Sequence, residues 1–186
     1  MSHPGGQVGE RYGGFSIGLH WLTLALLVGV YACIELREFY PKGSHSREAL
    51  ATWHYMLGLT TFALVFVRMA VRLAGRTPPI QPPPARWQHR LAGLVHAALY
   101  AFLLVMPLLG WLTLSTAAEP VPFFGWQLPP LAPPNPSLSH DLEEIHGTIG
   151  TAGYYLIGLH AAAALFHHYF MRDNTLLRML PRRGRG

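Results

Sequence analysis

The chain of 186 residues has one cysteine, Cys33, and only 12% of its residues carry a charge. A single thiol excludes an internal disulfide, a four-cysteine zinc site and a cysteine-ligated iron–sulfur cluster. The C-x-x-C-H signature of covalent haem attachment is also missing. Soluble domains carry about 25% charged residues. The shortage of charge, together with 51% hydrophobic residues and a mean hydropathy of +0.23, therefore points to a membrane protein. No signal peptide is visible: residues 1–14, MSHPGGQVGERYGG, are Gly-rich and polar, without the ordered charged, apolar and cleavage regions such a peptide needs. They read as a cytoplasmic N-terminal tail. The net charge of +5 does not call for nucleic acid, because in a membrane chain basic loops report topology.

Apolar runs are plentiful. Four of them, about Phe15–Leu36, Leu50–Leu73, Leu91–Ser115 and Asp141–Phe170, are long enough to cross a lipid bilayer. The expected fold is an all-α integral membrane protein, a four-helix transmembrane bundle, with residues 15–170 as its body and 171–186 as a basic cytoplasmic tail. Four spans bring both ends of the chain to one side. That side holds Arg11, Arg68, Arg72, Arg76, Arg86, Arg90, Arg172, Arg178, Arg182, Arg183 and Arg185, against Arg37, Lys42 and Arg47 on the other. The other side holds seven of the nine acidic residues. By the positive-inside rule both termini are cytoplasmic. Prolines exclude regular helix from the connection Thr77–Arg86. The outer connection, Thr116–His140, is also proline-rich, and its apolar centre Phe123–Trp126 reads either as an interfacial anchor or as a lid on the bundle.

The eleven histidines carry the chemistry. Histidine inside a membrane is costly and tends to mark function. His146 and His160 are 14 residues apart on the fourth span, which in a helix is about 21 Å along the axis and about 40° short of four turns. Both leave one face, one near each side of the membrane. Following the spans, His20 falls at the depth of His160 and His54 at the depth of His146. Two bis-histidine haems, two non-covalent haem b groups, account for that agreement economically. His96 lies at the same depth as His20, so spacing alone leaves the inner ligand open between them. Gly58, Gly147, Gly150 and Gly153 suit either a flat ring or close helix packing. Arg68, 14 residues beyond His54, or Arg72 could pair with a haem propionate, or could snorkel to the interface.

The residues Trp53, His54 and Gly58, the run Ile157–Ala164, and the end His167–Phe170 followed by Asp173–Met179 resemble the bacterial cytochrome b561 family, and within it the superoxide oxidase branch. The resemblance covers nearly everything after residue 14. It implies a multi-pass protein of the bacterial inner membrane that oxidises superoxide and reduces ubiquinone. It also implies His20 with His160 and His54 with His146 as haem ligands, leaving His96 a secondary role. No obligate protein partner is expected beyond the bilayer, superoxide and ubiquinone. Six-coordinate bis-histidine iron has no open position, so its chemistry is electron transfer at the haem edge. Arg37, Lys42 and Arg47 form a positive cluster on an otherwise acidic face and could steer an anion, or could simply contact lipid headgroups. His167 or His168 could hydrogen-bond a quinone carbonyl. Two other functions fit the same residues: a di-haem subunit relaying electrons between quinone and a separate hydrogenase or dehydrogenase, and a non-enzymatic haem- or metal-binding membrane protein.

Overall fold

The computed structural model describes residues 11–181. Residues 1–10 of the N-terminal tail and Arg182, Arg183 and Arg185 lie outside the described residues. Helix α1 runs Gly14–Leu36, α2 His45–Ala74, α3 Arg86–Thr116 and α4 Pro136–Phe166. A short hairpin, β1 (Val121–Phe123) and β2 (Trp126–Leu128), joins α3 to α4. All four helices are long and apolar enough to cross a membrane, and outward side chains such as Val28, Leu94 and Leu159 stay exposed in the protein alone, as lipid-facing residues should.

The helices overrun the apolar runs at their ends because polar residues cap them. Ser44 accepts a hydrogen bond from Arg47 N–H at 3.4 Å, which starts α2 five residues before Leu50. The Asn135 side chain accepts from Leu138 N–H at 3.1 Å, and Pro136 fills the first position of α4, where its missing N–H costs nothing. Within the spans, hydroxyls turn back on their own helix. Thr23 donates to the Leu19 carbonyl at 2.7 Å and Thr61 to Leu57 at 2.9 Å, so no polar hydrogen faces hydrocarbon there.

Helix α1 packs along α2, α3 along α4, and α2 against α3. Helices α1 and α4 stand further apart and are joined by side chains. Tyr31 donates to the Gly150 carbonyl at 2.8 Å, its ring meets that of Tyr154 at 4.2 Å between centroids, and Tyr154 donates to Glu35 at 2.7 Å.

The connection between α3 and α4 packs over one end of the bundle. Val121, 2% exposed, inserts between Leu59 and Leu114 with Tyr55 and Trp111 around it. Trp111 donates to the Pro129 carbonyl at 3.0 Å, and Leu131 N–H reaches the Ser115 hydroxyl at 3.0 Å. The two turn residues, Phe124 (φ 45°) and Gly125 (φ 87°), both have the positive φ that a tight two-residue hairpin requires. Phe124 and Trp126 face outward from that turn, as interfacial aromatics do.

Gly153 marks the tightest helix contact. A Cβ there would collide with the Tyr31 hydroxyl and the Phe102 ring. Gly153→Ala is expected to cost about 1–3 kcal/mol, the usual range for overpacking, and to lower the melting temperature of the detergent-solubilised protein. An unchanged melting temperature would show that the α1–α3–α4 junction is looser than its geometry.

Candidate functional site

The imidazoles fall into two groups, one at each end of α4. Toward the hairpin end the rings of His54 (α2) and His146 (α4) have centroids 6.1 Å apart, inclined by 69°. Toward the end that carries the chain termini, His20 (α1) and His160 (α4) are 6.3 Å apart, inclined by 60°. His96 on α3 is 5.2 Å from His160. A ring nitrogen ligates a first-row metal ion at about 2.0 Å and the ring centre is about 1.1 Å further out, so imidazoles on opposite sides of one ion have centroids about 6.2 Å apart. The first two pairs meet that separation; the His96–His160 pair is about 1 Å too short. His96 is also exposed, whereas the other four are half-buried.

A cavity of about 400 Å³ surrounds the His54–His146 pair, within the usual range for a ligand site. Gly58, Gly110 and Gly147 are among its walls. A Cβ at Gly58 or Gly147 would meet nothing within 4 Å, and one at Gly110 would meet His146 Cε1 at 3.3 Å. His54 Nδ1 lies 2.9 Å from the Val30 carbonyl. A carbonyl only accepts, so this nitrogen carries the proton and Nε2 keeps its lone pair for a metal. His146 Nδ1 is buried without a hydrogen-bond partner among the described residues.

Arg37 lines the same cavity with Glu35, Glu143, Tyr55 and Tyr154. Its Nε is buried and makes no hydrogen bond, but it lies 3.6 Å from the Glu38 carboxylate, within ion-pair distance. Arg47 is tied down: it donates to the Arg37 and Tyr40 carbonyls at 2.9 and 3.2 Å and pairs with Glu38 at 2.8 Å. Lys42 is exposed in the turn that ends at Gly43. The three cations therefore do different things, and Arg37 alone reaches the cavity. Tyr31, Glu35 and Tyr154 carried no signal in the sequence, because their meeting depends on how α1 and α4 face one another.

At the terminal end α4 finishes in a π-turn, His167–Met171, after which Arg172 takes a left-handed conformation (φ 55°) and reverses the chain. The reversal brings Asp173 to His167 Nδ1 at 2.5 Å and to Thr175 N–H at 2.8 Å. His168 lies apart, against Tyr169. Residues 173–181 then close over this end. Asn174 exchanges backbone and side-chain hydrogen bonds with Gln81, Arg178 donates to the Pro78 carbonyl, and Trp21 donates to Met179 O at 2.8 Å. Arg68 Nη2 is 3.4 Å from His20 Nδ1. Arg72 is exposed beside it.

The model of the family described as prokaryotic cytochrome b561 matches residues 11–182. The chain belongs to that family. It is 40% identical over 174 residues to "Cytochrome b561 homolog 1" of Escherichia coli, covering 94% of this chain and 99% of that one. It is 34% identical over 174 residues to "Probable superoxide oxidase CybB" of Yersinia pestis, covering 94% and 98%. A further relative, "Cytochrome b561 homolog 2" of E. coli, is 26% identical over 175 residues, with 92% of each chain covered. Cytochrome b561 membership makes this a bacterial membrane protein of electron transfer and implies b-type haem. The residues present fit such a group: opposed imidazoles at the right separation, an Nδ1–H held by a carbonyl, and glycine walls where a flat ring needs clearance.

His54→Ala or His146→Ala is expected to remove one haem, and His20→Ala or His160→Ala the other, with His96→Ala retaining both; haem-to-protein ratios of the purified variants check this. Loss of a haem in His96→Ala but not in His20→Ala would reverse the assignment.

A pH prediction follows from Asp173. Burial by itself would raise its pKa, but the hydrogen bonds from His167 and Thr175 prevail and hold it below the ordinary value of 3.8. A carboxyl whose pKa folding lowers contributes stability in full above about 3.8 and loses it as pH falls through the folded value. Asp173→Asn should melt below the wild type at neutral pH, and the gap should close on acidification below that range. A gap that persists in acid would mean the lost stability is not carried by the charge.

Proposed function

We propose that this cytochrome b561 oxidises superoxide to dioxygen at its hairpin end and passes the electrons through two haems b to ubiquinone. In this reading it lies in the bacterial inner membrane with both termini in the cytoplasm, as the arginine-rich terminal end supports. The observation that carries the reading is the pair of opposed imidazoles at each end of α4, 6.1 and 6.3 Å between centroids. The printed name of the Y. pestis relative supports superoxide as the donor.

Held by two imidazoles, a haem gains and loses one electron at its edge without opening a coordination position. The chain's residues do the rest. His54 and His146 hold one group and His20 and His160 the other, 14 residues apart on α4, about 21 Å. The Val30 carbonyl fixes the His54 ring. Arg37, which lines the cavity with Glu35 and Glu143, attracts the superoxide anion to it. Lys42 adds exposed positive charge, and Arg47 keeps the loop of Arg37 in place. Each superoxide gives up one electron and leaves as dioxygen; two electrons and two protons convert one ubiquinone to ubiquinol. His167, oriented by Asp173, or His168 hydrogen-bonds a quinone carbonyl at the terminal end.

A superoxide pulse onto the purified oxidised protein is expected to reduce the haem rapidly, superoxide dismutase to abolish the effect, and ubiquinone to reoxidise it. Arg37→Gln should slow the superoxide step about tenfold at low salt and weaken its salt dependence. Haem that dithionite reduces but superoxide does not would overturn the reading in favour of a relay subunit for a separate dehydrogenase.

A further inference from the structure

Seven of the nine acidic residues belong to the hairpin end; the other two are Glu10, outside the described residues, and Asp173. The Asp173 carboxylate is committed to His167 and Thr175. Yet three guanidinium groups belong to this end: Arg68 reaches His20, Arg72 follows one helical turn later, and Arg178 precedes Met179, whose carbonyl takes the N–H of Trp21 beside His20. Among the described residues no carboxylate lies within 4 Å of any of the three.

Arg178 is the least expected of them, because it is 8% exposed. It donates to the Pro78 carbonyl and lies over the Tyr12 ring, 5.7 Å from its centroid, but its Nε is buried with no partner. Burial weakens its hold on the proton, Tyr12 and Asp173 strengthen it, and Arg72 opposes it. A buried guanidinium with an unused N–H is costly unless an anion meets it. Arg68 is in a similar position. Its 3.4 Å contact would use His20 Nδ1 as the acceptor. A His20 that ligates through Nε2 carries its proton on Nδ1 and cannot accept, so the Arg68 donors not taken up by Tyr100, whose ring centroid is 6.0 Å away, then need another acceptor. Arg72 stands at the rim of the same cluster.

We propose that Arg178, with Arg68 inside and Arg72 at the rim, forms a carboxylate-binding cluster that takes the propionates of the haem held between His20 and His160. The proposal rests on that pairing. It assigns Arg178, in the segment after the last span, a part in holding the cofactor. The cluster also sets a direction, since positive charge beside the iron disfavours the ferric form and raises the reduction potential of that haem.

The test is an equilibrium redox titration of the purified haem-loaded protein, followed by absorbance and by the two low-spin signals in electron paramagnetic resonance. Arg178→Gln is expected to lower one midpoint by at least a tenfold change in the reduction equilibrium, 59 mV for a one-electron couple. The shifted haem should be the one missing from His160→Ala, and Arg178→Lys should restore most of the shift. If Arg178→Gln fails to accumulate because the cap is disturbed, Arg72→Gln decides, with a smaller shift in the same direction. Two bound haems with unmoved midpoints in both variants would overturn the proposal, as would a shift of the haem that His54→Ala removes. Unmoved midpoints with loss of co-purifying anionic phospholipid would also overturn it, assigning the cluster to a lipid phosphate. If His160→Ala retains both haems the proposal falls with the pairing itself, a result read without any titration.

Discussion

An imidazole nitrogen left without a partner in hydrocarbon is costly, because no water is there to supply one. Much of this bundle is arranged around that demand. His54 spends one nitrogen on the Val30 carbonyl of the neighbouring helix, and its ring lies 6.1 Å from that of His146. Helices α1 and α4 cannot close on one another while His20 and His160 face each other between them, so tyrosines bridge the remaining gap. Glycine lines the cavity beside the rings of His54 and His146 at Gly58, Gly110 and Gly147, with Gly110 the one that approaches a ring.

The spans, the face shared by His146 and His160, and the pairing of depths were legible in the sequence, because helical periodicity and membrane thickness are both one-dimensional rules. Helix ends were less so. Helix α2 begins at His45, within residues too polar to register as a span, since a cap from Ser44 outweighs composition there. The hairpin was visible only as an apolar patch among prolines; its turn depends on a phenylalanine accepting positive φ, which no residue preference signals. Equal depth left His20 and His96 side by side in the sequence; only the fold gives their different distances from His160, 6.3 and 5.2 Å between centroids. Arg178 read as one more basic residue of the tail. Its burial comes from a chain reversal at Arg172 that has no local signature.

The two ends of the molecule differ in their electrostatics. Near the hairpin, one arginine shares its cavity with two glutamates and three tyrosines: Arg37, Glu35, Glu143, Tyr31, Tyr55 and Tyr154. At the terminal end arginines gather without a free carboxylate among the described residues. Charge of that kind is read by topology rules as an address for the cytoplasm. Here Arg68 is half-buried and Arg178 buried, so a substitution at either can alter both how the chain inserts and how this end packs.

The cap over the terminal end is assembled from three distant pieces of chain. Tyr12 N–H meets the Arg178 carbonyl, and the Arg178 side chain meets Pro78, which belongs to the connection between the second and third helices. A ribosome delivers these pieces in order, and the last arrives only after all four helices have left it. The seal is therefore the final part of the molecule to form. Until then Pro78, Gln81 and Trp21 lack the hydrogen bonds that Arg178, Asn174 and Met179 make to them, so the end of the bundle that holds the chain's arginines is the last to be covered.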